Sequence, residues 1–106
     1  MLKLKDVATI ERVKKDKEYP EGVILVQVSA TKGQTIYHKG GTAETHYVAI
    51  DVIDKERLKP KFLYHYIQHT IEPYLPIIRT GLNIQVEEIE NYPLVFPIME
   101  KMRHFS

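Results

Sequence analysis

His65 and His69 stand four residues apart, the spacing that lets two imidazoles share one metal ion on a single helix face. Between them lie Tyr66, Ile67 and Gln68, so the glutamate that a zinc-protease helix uses as general base is missing. No third ligand is signposted, and two ordinary histidines are the expectation. Lys39-Gly40-Gly41-Thr42 has the residue types of a phosphate cradle in the wrong order. A true cradle places lysine and hydroxyl after the glycines, at a helix N-terminus whose amides face the phosphate. Ser29 and Ser106 lack the Gly-x-Ser-x-Gly setting of an exposed nucleophile. Glu87 and Glu88 have no apolar surroundings to raise a carboxyl pKa, and the chain has no cysteine for thiol chemistry. Neither enzyme activity nor a cofactor or metal is expected.

What remains is a set of basic and amide side chains suited to DNA. Arg12, Lys14, Lys15 and Lys17 come early; Thr31, Lys32, Gln34, Tyr37, His38 and Lys39 form a middle group; Arg79, Thr80 and Asn83 come late. Lysine and arginine neutralise phosphates, while arginine, lysine, glutamine and asparagine match the hydrogen-bonding edges of bases in the major groove. On this pattern Gln34, Arg79 and Asn83 are the candidates for base contact. Arg12, Lys14, Lys15, Lys17, Lys32 and Lys39 are the candidates for backbone contact.

Whole-chain composition gives no such pull, since the net charge is +1. Its distribution is uneven: residues 1–39 carry eight basic against five acidic side chains, and residues 62–106 carry three against five. The 106 residues suffice for one domain, 1–106, and one core. No apolar run approaches a membrane span of roughly 20 residues, and the charged start is unlike a secretory signal, so a cytoplasmic protein without membrane association is expected.

These side chains need elements to hold them. Leu4 to Lys17 fits a short helical turn and then a strand, and Tyr19-Pro20-Glu21-Gly22 is turn chemistry. Val23 to Val28 is a β-branched run between breakers, apolar enough to be buried on both faces. Ser29 to Thr45 reads as a long polar loop or loose hairpin, with Gly40-Gly41 marking a sharp reversal. His46 to Ile53 alternates as a strand, and Asp54 has the residue type of a cap for the next element. Pro60 opens a helix whose Phe62, Leu63, Tyr66, Ile67, Thr70 and Ile71 form an apolar stripe. Pro73 and Pro76 are expected to kink or end it. Ile84 to Val86 reads as a short strand, Glu87 to Asn91 as a helical turn and Leu94 to Phe96 as a last strand. Strands interleaved with one good helix give an α+β domain, a small mixed sheet with one main helix.

The order of these segments resembles a target-recognition domain of type I restriction-modification specificity subunits. Leu4 to Ile10 is similar to the family's opening turn and strand, and Leu25 to Ala30 to its apolar strand running into a polar loop. Leu58-Lys59-Pro60-Lys61-Phe62-Leu63-Tyr64-His65-Tyr66-Ile67 resembles the family helix. Gly81 to Gln85, Ile89, Tyr92, Pro93, Leu94 and Pro97 are similar to its closing pattern. Pro97-Ile98-Met99-Glu100-Lys101 resembles a family signature, with Lys101 where glutamine is usual. The family's long spacer helix has no counterpart, and no heptad pattern occurs.

The resemblance implies a non-catalytic domain that reads double-stranded DNA by sequence. It also implies partners: modification (methyltransferase) and restriction subunits, or a second specificity half-subunit. A rival reading keeps the fold without the DNA, as a protein-interaction module pairing with a specificity subunit or with itself.

Overall fold

Six alternating residues at the middle of the chain set the architecture: Val48, Ile50 and Val52 turn to one side, and Tyr47, Ala49 and Asp51 to the other. The computed structural model describes residues 2–27, 34–78 and 85–94. Its strands are β1 (Leu2–Lys3), β2 (Ala8–Arg12), β3 (Glu18–Tyr19), β4 (Ile24–Gln27), β5 (Thr35–Tyr37), β6 (Gly41–Thr42), β7 (Tyr47–Val52) and β8 (Pro93–Leu94). A 3-10 turn, Leu4–Asp6, separates β1 from β2, and the helices are α1 (Pro60–Ile78) and α2 (Val86–Glu90). The α+β class with one main helix holds. Among the described residues every strand pair is antiparallel, and the strands fall into three sheets.

The largest sheet has the order β2-β7-β4-β5. One face carries Ala8, Ile24, Val26, Val48, Ile50 and Val52, which pack with Leu63, Tyr66, Ile67 and Ile71 of α1. The other face carries Leu25, Ala49 and Ile36, which pack with Val13, Tyr19 and Val23 in a second, smaller cluster. Burial on both faces is what the apolar run Val23 to Val28 demands, and Ile24, Leu25 and Val26 are indeed buried.

A single bent ribbon supplies that second layer. Residues 24–26 of β4 pair with 35–37 of β5, and residues 18–19 of β3 pair with 41–42 of β6. Between these ladders Pro20 to Val23 oppose His38 to Gly40, so one arm has an extra residue, which bends a paired ribbon as a bulge does. Gly22, Gly40 and Gly41 take φ of +97°, +107° and +96° there, a region open to glycine. Gly40-Gly41 therefore folds the ribbon over the sheet; it does not reverse the chain. Tyr19 belongs to a strand, not a turn, because its ring is buried in the second cluster.

Three further expectations are corrected. The α1 helix runs through Pro73 and Pro76 to Ile78, because packing beyond the first proline outweighs the lost amide bond: Tyr74 stacks edge-on against Tyr92 at 5.5 Å. Gln85 and Val86 start a helix, not a strand, since the Glu88 carboxylate accepts from the Gln85 amide at 2.8 Å in a capping box. Asp54 caps the turn before α1 and not the helix itself, accepting from Glu56 and Arg57 amides at 3.1 and 3.3 Å. The last strand begins at Pro93, and Val95 and Phe96, expected to continue it, lie outside the described residues, as does Ile84.

Candidate nucleic-acid interface

One end of the large sheet gathers polar side chains from four strands. The Val13 amide donates to the Tyr47 carbonyl at 2.9 Å, Tyr47 lies opposite Gln27, and the Gln27 amide donates to the Gln34 carbonyl at 2.8 Å. This chain of pairings sets Val13, Tyr47, Gln27 and Gln34 in one row, with Arg12 one residue inward, opposite Val48 on the α1 side of the sheet. Three steps between strands of about 4.8 Å make the row about 14 Å wide. Gln34 is exposed and Gln27 half-buried.

Arg12 closes one side of the row. Its Nε donates to the Thr45 carbonyl at 2.9 Å, tying the end of β2 to the turn that precedes β7. In that turn the Tyr47 amide donates to the Glu44 carbonyl at 3.3 Å, and His46 Nε2 lies 3.1 Å from Glu44 Oε2. The His46 ring rests on the Tyr47 ring at 4.5 Å.

Lys14 and Lys15 project from the turn just after Arg12, and both are exposed. Asp16 takes a left-handed φ of 65° in this turn. Tyr19 pins it from beneath: its hydroxyl accepts from the Lys14 amide at 3.0 Å and donates to Glu11 Oε2 at 2.7 Å. Lys17 is committed to the same carboxylate, 2.8 Å away, with its ammonium 5.1 Å from the centre of the Tyr19 ring. The Lys17 hydrogen bond, and after it that of Tyr19, holds the Glu11 carboxyl below the usual carboxylate range. Glu11 in turn raises the Lys17 ammonium, and burial raises the Tyr19 hydroxyl.

The candidate residues of the sequence thus separate. Arg12, Lys14 and Lys15 at the β2 edge and Gln34 at the β5 edge lie at the same end of the sheet, three strand spacings apart. Lys17 turns instead to a depression on the second face, lined also by Thr9, Glu11, Tyr19 and Asp51. Lys39 is exposed at the bend of the ribbon, about 15 Å along the chain from Gln34. Its neighbour His38 is buried with Nε2 donating to the Gly41 carbonyl at 2.9 Å, and Tyr37 packs edge-on against Tyr64 at 5.8 Å. Lys32, Arg79 and Asn83 lie outside the described residues. His65 and His69 are exposed on α1 with ring centres 6.4 Å apart, and His69 Nδ1 donates to the His65 carbonyl at 2.7 Å. Among the described residues no three histidine, aspartate or glutamate side chains are grouped to hold a metal ion.

Sequence reading missed His46, Gln27 and Thr45 as members of the row. Their types gave no signal; only the strand register brings them beside Arg12 and Gln34.

The large sheet thus ends in Gln27, Gln34 and the His46 turn, with Lys14 and Lys15 exposed beyond Arg12. The chain belongs to the type I restriction modification DNA specificity domain family, whose model matches residues 3–103. Domains of that family are non-catalytic recognition modules of restriction-modification systems, concerned with DNA sequence. No curated protein and no solved structure matches the chain. Among the described residues no helix is long and apolar enough to cross a membrane.

Proposed function

We propose that this chain binds double-stranded DNA by sequence, as a target-recognition domain of a type I restriction-modification system. The observation that carries the reading is the polar row at one sheet end, with Lys14 and Lys15 beside it, in a chain of the specificity-domain family. A major groove about 12 Å across admits a two-stranded ribbon, and the ends of β4 and β5 that carry Gln27 and Gln34 form one. Neutral amides in the row fit base edges, and the two lysines at its side fit the phosphates that border the groove.

In this reading Gln34 contacts a base edge, joined by Arg79 and Asn83 from the second polar segment. Lys14 and Lys15 hold phosphates, with Lys32 as a further backbone contact. Lys17 contributes least, since taking it to a phosphate would strip Glu11 of its ion pair. Chemistry on the DNA belongs to the modification and restriction subunits that such a domain directs, and their association with this chain is part of the proposal.

Selection from a pool of random duplexes, with fluorescence titration of the recovered sequence at two salt concentrations, tests the reading. Enrichment of one motif with an affinity that falls steeply with salt is expected. A chain that enriches nothing and ignores duplex even in dilute buffer is not a DNA reader, and pairing with a specificity subunit or with itself then becomes the function to measure.

A further inference from the structure

We infer that His46 reads a base in the same duplex, and that Arg12 acts through it as a positioning residue; this rests on the DNA-reading assignment above. The imidazole is firmly held. Its ring lies on Tyr47, its Nε2 lies 3.1 Å from Glu44, and the preceding carbonyl, that of Thr45, is fixed by the Arg12 Nε. Yet about a third of the side chain, 36%, remains exposed. A polar group held in one pose and still open to solvent loses little freedom on binding, which is what a specificity contact requires.

Position and chemistry agree. Thr45 and His46 precede Tyr47, which faces Gln27, and Gln27 is bonded to Gln34; the imidazole therefore stands at the end of β7 that carries the row. With Nε2 beside the Glu44 carboxylate, Nδ1 is the ring nitrogen left for a base. An imidazole nitrogen pairs in the major groove as an acceptor with the amino groups of adenine and cytosine, or as a donor with the acceptors of guanine, adenine and thymine. Arg12, by contrast, spends its Nε on a backbone carbonyl of the very turn that presents the ring.

The test uses the full chain. Duplex selection is repeated with His46→Ala, His46→Gln and Arg12→Gln, with circular dichroism to check folding, and the wild-type duplex is titrated at two salt concentrations. His46→Ala is expected to lose the base requirement at one position and to weaken binding about fivefold, with the salt slope unchanged. His46→Gln must relax or change that same position. Arg12→Gln is expected to relax it too, and the double variant Arg12→Gln/His46→Ala to be no weaker than His46→Ala alone.

A wild-type motif recovered by both His46 variants overturns the assignment of the base. Arg12→Gln with the motif intact and the salt slope lowered by about one overturns the positioning role, since that is the signature of a lost phosphate contact. If the wild-type chain itself enriches no motif, the DNA-reading assignment and this inference fall together.

Discussion

The Tyr92 hydroxyl meets Thr70 Oγ1 at 2.6 Å, and Thr70 Oγ1 in turn donates to the Tyr66 carbonyl at 2.7 Å. Tyr66 completes the arrangement by donating its own hydroxyl to the Pro93 carbonyl at 2.8 Å. Three side chains thus tie the middle of α1 to the strand that pairs with the start of the chain.

Removing the Tyr92 hydroxyl tests this tie. Tyr92→Phe leaves Thr70 its carbonyl partner, so the cost is one hydrogen bond, about 1 kcal/mol, read as a lower urea midpoint at unchanged slope. Burial also pushes the Tyr92 hydroxyl well above its ordinary value of 10.0. The folded state therefore keeps a proton that the unfolded chain releases, and stability present below pH 10 is lost as pH rises beyond it. Urea midpoints at pH 7, 9.5, 10.5 and 11 should decline less for Tyr92→Phe. Identical alkaline decline in both proteins would remove Tyr92 as its source.

Gly22→Ala tests the bend of the ribbon. A methyl group there would meet Tyr37 Oη at 3.5 Å and Pro60 Cβ at 3.8 Å, ordinary contact, so the penalty comes from a φ of +97°. About 1 to 3 kcal/mol of destabilisation is expected, enough to lower the thermal midpoint by several degrees. A variant as stable as wild type would mean that the bend is not fixed at this residue.

The acid side is tested at Glu11. Its carboxyl lies below the usual range, so it adds stability above its ordinary value of 4.5 that disappears as pH falls. Glu11→Gln should flatten the loss of stability between about pH 5 and pH 3. Tyr19→Phe removes the hydroxyl that joins Glu11 to the Lys14 amide and should cost about 1 kcal/mol at neutral pH. Denaturation midpoints from about pH 3 to neutral pH decide both.

For DNA, the lysines should behave differently. Lys14→Ala with Lys15→Ala is expected to lower the slope of log affinity against log salt by about two, as two phosphate contacts would. Lys17→Ala should leave the slope near that of wild type, because its ammonium is already spent on Glu11. Equal effects from Lys17 and from the pair would show that the ion pair opens on binding.

Much of this architecture was readable from local pattern. The alternation of Tyr47 to Val52, the doubly buried run at Val23, the proline-led helix and the family resemblance all rest on short-range signals, and they hold. Failures arise where distant packing decides. Pro73 reads as a stop, yet Tyr74 has Tyr92 to pack on; Gly40-Gly41 reads as a hairpin tip, yet its partner strand is Glu18–Tyr19. The polar row was half legible: Arg12, Lys14, Lys15 and Gln34 are telling by type, whereas His46 and Gln27 join them only through the register of three strands. Lys17 and His38 looked like free polar groups because nothing in their neighbours along the chain announces Glu11 or the Gly41 carbonyl as a partner.

In the bulged ribbon the anchors, Tyr19, Gly22 and His38, lie toward one extremity, and Gln27 and Gln34 lie at the other. What secures the strand pair to its sheet is therefore gathered away from the end where the two glutamines pair.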